Sequence, residues 1–155
     1  MIGFAELNEL IGRWWYSYDE GRFDAMTALL TEDVHFSVRT DTGKTDYEEF
    51  VNADIRGRDE VMAWQVEHRL DSPYPLRHCG INMHRTGTDG DDTTYASYIF
   101  VTQIVDGQVS NLSTAPVSGA VRLEDGELRI ASLHVVLDTA SSTPLRGQRD
   151  GGSSG

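Results

Sequence analysis

Four long runs of alternating or β-branched residues fill the second half of the chain, and every gap between them is a tight-turn signal. The runs are Leu76 to His84, Thr93 to Val105, Val109 to Leu123 and Leu128 to Leu137; the gaps carry Thr88-Asp89-Gly90-Asp91, Asp106-Gly107 and Glu124-Asp125-Gly126. Aspartate followed by glycine accepts the left-handed backbone of a two-residue hairpin at little cost. Three successive hairpins predict an antiparallel meander. Pro116 and Gly119 interrupt the third run, where a bulge or bend would curl the sheet into a concave wall. A curved sheet must cover its inner face, and the first half of the chain has to supply the cover.

That half reads as helical. Phe4, Leu7, Leu10, Ile11, Trp14, Trp15 and Tyr18 recur at three- and four-residue steps up to Gly21, the pattern of an amphipathic helix. Phe23, Met26, Ala28, Leu29 and Leu30 predict a second, shorter helix, closed by Thr31-Glu32-Asp33 before a strand over Val34 to Val38. Asp41 to Arg56 is polar and reads as mostly irregular. Asp59 and Glu60 then sit where carboxylates favour the start of a third helix, and Val61, Trp64 and His68 share one of its faces. Ser72-Pro73-Tyr74-Pro75 ends it. Helices first and strands afterwards give an α+β fold, with three N-terminal helices packed on one face of the sheet.

At 155 residues one core suffices, so residues 1–140 are expected to form a single domain and 141–155, ending Gly-Gly-Ser-Ser-Gly, a flexible tail. The net charge of -12 argues against nucleic acid or an anionic membrane as partner. Neither a basic n-region with an apolar h-region at the start nor any run long enough for a membrane span occurs, so a cytoplasmic protein is expected. Cys79 is the only cysteine, which rules out an intrachain disulfide.

No phosphate-binding glycine loop, Gly-x-Ser-x-Gly elbow, paired-cysteine set or His-Glu-x-x-His motif is present. His78 and His84 are six residues apart, about 20 Å on a strand rising about 3.3 Å per residue, too far to share a metal ion. Alternation puts His78, Gly80 and Asn82 on one face of that strand and Cys79, Ile81 and Met83 on the other. The polar face either meets solvent or lines a pocket in which Gly80 leaves room for a ligand. Asp19 reads either as a solvated turn residue or as a group at the edge of the apolar stripe, one helical turn beyond Trp15.

Tyr18-Asp19-Glu20-Gly21-Arg22-Phe23-Asp24 through Leu29-Leu30-Thr31-Glu32-Asp33-Val34-His35-Phe36, with the order of elements, resembles the SnoaL-like branch of the nuclear-transport-factor-2-like superfamily over roughly residues 4–138. His78-Cys79-Gly80-Ile81-Asn82 resembles the His-x-Gly-x-Asn strand of hexachlorocyclohexane dehydrochlorinase, and Asp19 falls at the matching aspartate. Val121 to Ile130 is similar to the closing hairpin of the same branch. The resemblance implies a cystatin-like cone around one pocket, and a catalytic pair of Asp19 and His78 that needs no cofactor and no metal. His78 would act as base, with Asp19 fixing its tautomer.

Trp15, Phe36, Trp64 and Phe100 are candidate pocket walls, ordinary core packing being the other reading of each; Tyr16, Asn82 and Gln103 are candidate donors to a developing enolate oxygen. The substrate expected is a small hydrophobic, polyketide-like metabolite. Departures from the superfamily also inform: Val34 to Val38 lacks the acid that a ketosteroid isomerase uses, and Thr93 to Val105 lacks the second histidine of scytalone dehydratase. Small subunits of aromatic-ring-hydroxylating dioxygenases share the resemblance and act as scaffold, and a ligand binder without turnover is a third reading. A homodimer or homotrimer is expected.

Overall fold

The computed structural model describes residues 2–150. Helix α1 (Phe4–Asp19) turns its stripe of Leu7, Leu10, Ile11, Trp14, Trp15 and Tyr18 inward, all buried, while Glu6 accepts a hydrogen bond from the Gly3 N–H at its start. Helix α2 (Phe23–Ala28) is short and buries Met26. Strand β1 (Leu30–Thr40) begins four residues before the expected Val34, because Leu30 and Thr31 are fully buried and Leu30 already lies against Ile130.

The polar stretch after β1 is more ordered than its composition implies. It holds a one-turn helix, α3 (Glu48–Val51), and strand β2 (Ala53–Arg56), which pairs antiparallel with β1. Glu48 organises this turn: its carboxylate accepts hydrogen bonds from the Thr40 hydroxyl at 2.6 Å and the Thr45 hydroxyl at 2.9 Å. Helix α4 (Arg58–Leu70) follows, with Asp59 and Glu60 in its first turn as expected.

Strands β3 (Leu76–Asp89), β4 (Asp92–Val105), β5 (Gln108–Glu124) and β6 (Glu127–Leu137) form the meander. The six strands lie in the order β2-β1-β6-β5-β4-β3, and β1 runs parallel to β6, the one departure from an antiparallel sheet. Asp106-Gly107 and Asp125-Gly126 both have positive φ, the backbone of type I′ hairpins.

The bend expected in β5 occurs beside Gly119, where the β5–β6 register shifts between Ala120 and Val121, whereas Pro116 pairs with Tyr98 without interruption. A Cβ on Gly119 would lie 2.1 Å from the Ser132 carbonyl oxygen and 2.8 Å from the Tyr95 hydroxyl, so only glycine lets the two strands and that ring close up. A final helix, α5 (Leu145–Asp150), falls within the segment expected to be a flexible tail; residues 151–155 of that segment lie outside the described residues. Among the described residues no helix is long and apolar enough to cross a membrane.

The helices cover the inner face of the sheet. Trp14, Tyr95, Leu133, Val117 and Val121 are the large buried members of the resulting core.

Candidate active site

Asp19 is the last residue of α1, and its backbone is pinned from α4. The Arg69 guanidinium, itself buried, donates to the Asp19 carbonyl at 2.7 Å through Nη2, to the Tyr18 carbonyl at 3.0 Å through Nε, and to the Pro73 carbonyl at 3.1 Å through Nη1. The Asp19 and Pro73 carbonyls lie at a helix end and in a turn, where backbone donors run out, while the Tyr18 carbonyl also accepts the Gly21 N–H at 3.1 Å; a cation suits the negative end of the helix dipole. One side chain therefore ties the end of α1 to the loop that leads into β3.

The carboxylate of Asp19 then meets β3 twice. Its Oδ2 accepts the backbone N–H of His78 at 2.8 Å, and its Oδ1 lies 2.6 Å from His78 Nδ1. The two side chains are 5% and 12% exposed, so the contact is shielded from water on nearly all sides. Trp15 stacks on the imidazole with centroids 4.8 Å apart and planes 3° from parallel, and Tyr18 meets it edge-on at 5.2 Å. Gly80 lies against this stack, and a Cβ there would meet the Trp15 ring at 3.7 Å, an ordinary contact distance. With Nδ1 committed to Asp19, Nε2 is the nitrogen left for chemistry.

His78 faces a cavity of about 330 Å³ between the helices and the sheet. Trp15, Phe36, Val38, Trp64, Ile99 and Val135 are among its walls, and Tyr47 and Phe50 of the α3 segment lie over it. The lining is mostly apolar, which suits a hydrophobic ligand of modest size. Asp19 is neither a solvated turn residue nor part of the cavity lining, but is buried behind His78.

Three of the seven expected binding residues line this cavity: Trp15, Phe36 and Trp64, the last two with ring centroids 5.3 Å apart. The other four do not. Tyr16 is 57% exposed on the outer side of α1, under the Arg22 guanidinium, because it directly follows the buried Trp15 on a helix and so points elsewhere. Phe100 lies between the inward Ile99 and Val101 and opposite Cys79, hence on the other face of the sheet. Gln103 pairs with Leu76 beyond the irregularity at Val101/Thr102 and stays outside the lining.

Asn82 adopts a φ of 56° in a break of register between Ile81 and His84, which reverses the alternation. Its side chain joins His84, Tyr98, Ser118 and His134 around an open depression of about 500 Å³ on the outer face, while Met83 turns in against the core instead of away from it. His134 is thus an outer-face residue, its Nδ1 2.7 Å from the Ser37 hydroxyl and its ring edge-on to His35, which contacts Asp54 at 2.7 Å.

The residue that sequence reasoning passed over is His68. It lines the cavity, stacked between Phe50 and Trp64 at 4.4 Å from each, with Nδ1 2.7 Å from the Tyr18 hydroxyl. Burial, with His78 and Arg69 nearby, pushes its pKa down to about 4, so the ring is neutral; burial raises that of Tyr18 to about 12, so the phenol keeps its proton. The signal was the four-residue spacing from Trp64 on one face of α4. Gln65 and Ser72 also line the cavity. Among the described residues no group of three or more His, Cys, Asp or Glu side chains is placed to hold a metal ion.

A helix-backed curved sheet enclosing one apolar cavity is the architecture of cystatin-like, nuclear-transport-factor-2-like proteins, and the comparisons agree. The SnoaL-like domain matches residues 4–134, so the chain belongs to the SnoaL-like family. No curated protein matches it. A Novosphingobium aromaticivorans NTF2-like protein with a cystatin-like fold is similar at 22% identity and TM-score 0.70, over 89% of this chain and 83% of that one. ActVI-ORFA of Streptomyces coelicolor is similar at 20% and 0.69, over 86% and 96%. The beta subunit of benzoate 1,2-dioxygenase from Burkholderia mallei is similar at 20% and 0.66, over 88% and 91%. At such identities the likeness speaks for the fold alone.

Proposed function

We propose that the protein is a cofactor-independent general acid/base enzyme, a lyase, isomerase or cyclase, acting on a small hydrophobic, polyketide-like molecule held in the apolar cavity. The observation that carries this reading is the buried, doubly bonded contact of Asp19 with His78 at the cavity wall. Asp19 holds the proton of His78 on Nδ1 and leaves Nε2 with a lone pair toward the ligand. When Nε2 takes a proton from a carbon next to a carbonyl, the C–H electron pair moves into an enolate, and the imidazolium is stabilised by the carboxylate already in place. From the enolate, loss of a leaving group, reprotonation elsewhere or attack on a second carbonyl gives elimination, isomerisation or cyclisation. The Trp15 stack and the Tyr18 edge restrict the ring to one orientation, so little reorganisation accompanies the transfer.

In this reading residues 1–140 act as one unit in the cytoplasm, as a homodimer or homotrimer. The test is direct. His78→Ala and Asp19→Asn should each lower turnover by about 10²-fold or more, the contribution expected of a positioned base, with far-UV circular dichroism unchanged. Full activity in both variants would sink the dyad. A second reading draws on the likeness to dioxygenase beta subunits: a noncatalytic scaffold under an iron-containing large subunit. Co-purification with such a subunit, together with unchanged dioxygenase activity in both variants, would favour it. A binder without turnover would hold the ligand tightly and release it intact.

A further inference from the structure

His68 carries a polar atom that the dyad leaves unexplained. Its Nε2 is buried and has no hydrogen-bond partner, although the residue lines the cavity. A buried, unpartnered N–H costs about 1–3 kcal/mol, so a fold that retains one calls for an account of what satisfies it. The ring is held in plane by Phe50 on one side and Trp64 on the other, and its Nδ1 is held by the Tyr18 hydroxyl at 2.7 Å.

Which nitrogen bears the proton follows from the neighbours. Tyr18 is buried and un-ionised, and the Ser72 hydroxyl beside it already donates to the His68 carbonyl at 2.6 Å. If the phenol donates to Nδ1, the neutral imidazole must carry its hydrogen on Nε2. The charged or titratable groups nearest this ring are Tyr18 on α1, His78 on β3, and Arg69 and Asp71 at the end of α4; none is a carboxylate within hydrogen-bond reach that would favour a cation.

We propose that Tyr18 holds His68 as the Nε2–H tautomer and that this N–H is the donor to a carbonyl oxygen of the ligand, making the ligand a planar aromatic or conjugated ketone. The proposal rests on the proton-transfer reading above and gives it a second arm. As His78 takes the proton from carbon, negative charge grows on the carbonyl oxygen, and His68 stabilises it by a hydrogen bond without giving up its own proton. A neutral imidazole is the better partner for this, because its N–H is closer in acidity to an enol than that of an imidazolium. The planar ligand class follows from the aromatic walls, Trp15, Phe36, Phe50 and Trp64, which favour a flat ring over a branched chain.

The experiment uses the intact protein and two spectroscopic readings. In protein labelled with ¹⁵N-histidine, His68 should show a protonated Nε2 and a bare Nδ1 that do not titrate between pH 8 and pH 5. Acetophenone labelled with ¹³C at the carbonyl should then bind with a downfield shift of that resonance. His68→Phe keeps the aromatic stack and should abolish the shift while weakening binding about tenfold; Tyr18→Phe should reduce the shift. His78→Ala should leave the shift in place, which separates this assignment from the dyad. A proton on Nδ1 of His68, no binding of acetophenone to the wild-type protein, or an unchanged carbonyl shift in His68→Phe would each overturn the proposal. Loss of turnover in His78→Ala would still support the dyad in any of those cases.

Discussion

Asp19 meets His78 from a helix end whose carbonyls Arg69 holds in place. The guanidinium has no carboxylate within its hydrogen-bonding set and is satisfied by backbone oxygens alone. Arg69→Met preserves length and apolar packing but strips the side-chain donors from the Asp19, Ser72 and Pro73 carbonyls, the Tyr18 carbonyl keeping the Gly21 N–H, so a loss of about 2–4 kcal/mol is expected by urea denaturation. Lysine in its place supplies one point of charge where a planar fork reaches four carbonyls, and should recover less than half of that loss. His68 makes a separate prediction. Its folded-state pKa of about 4 lies below the ordinary 6.5, so the unfolded chain binds the proton more readily. Stability from this residue is complete above pH 6.5 and falls as the pH drops toward 4, by up to about 3 kcal/mol. Equilibrium denaturation at pH 7 and pH 5 should therefore differ more in the wild-type protein than in His68→Phe.

Two glycines in different elements should respond in opposite senses to the same substitution. Gly12 sits on the exposed side of α1 with nothing within 4 Å of a new Cβ, so Gly12→Ala should stabilise by about 0.5–1 kcal/mol. Gly119 is where β5 crosses Tyr95 and the Ser132 carbonyl, and Gly119→Ala should cost about 3 kcal/mol or more, or prevent folding; thermal unfolding of the pair decides both. The meander was legible because its turns are made of residues whose backbone preference is local: Asp106-Gly107 and Asp125-Gly126 take their positive φ wherever they occur. What was not legible depends on contacts. Asn82 has no sequence mark that separates a regular strand from a register break, so simple alternation puts Asn82 and Met83 on the faces opposite to those they occupy. In the same way, α3 and β2 are held by Glu48 and by pairing to β1, and neither shows in the polarity of Asp41 to Arg56.

Across the whole molecule, legibility in the sequence has the same cause. A motif resemblance joins Asp19 to His78, and Trp15, Phe36 and Trp64 are large aromatics on elements whose apolar side faces the core. For Tyr16, Phe100 and Gln103 the residue type alone carries no phase along the helix or strand, and each lies outside the cavity. The net charge of -12 acts on the molecule as a unit. Its self-repulsion is screened over a Debye length of about 10 Å at 0.1 M salt, so the melting temperature should rise between 10 mM and 200 mM sodium chloride. A flat or falling trend would mean that local ion pairs, such as Arg129 with Glu124 and Glu127, outweigh the overall repulsion.

The parallel contact of β1 with β6 also governs how the protein comes into being. Phe36 and Val135, both cavity walls, arrive on strands from opposite ends of the chain, with His35 opposite Ser132. Closing so long a loop is an entropic barrier that local hairpins do not face, so the meander should be able to form before β1 docks on it. During synthesis, then, the chain carries Asp19 and His78 early but has no chamber until Leu137 has emerged. A fragment ending before β6 would carry both Asp19 and His78 and still have nowhere to hold a ligand.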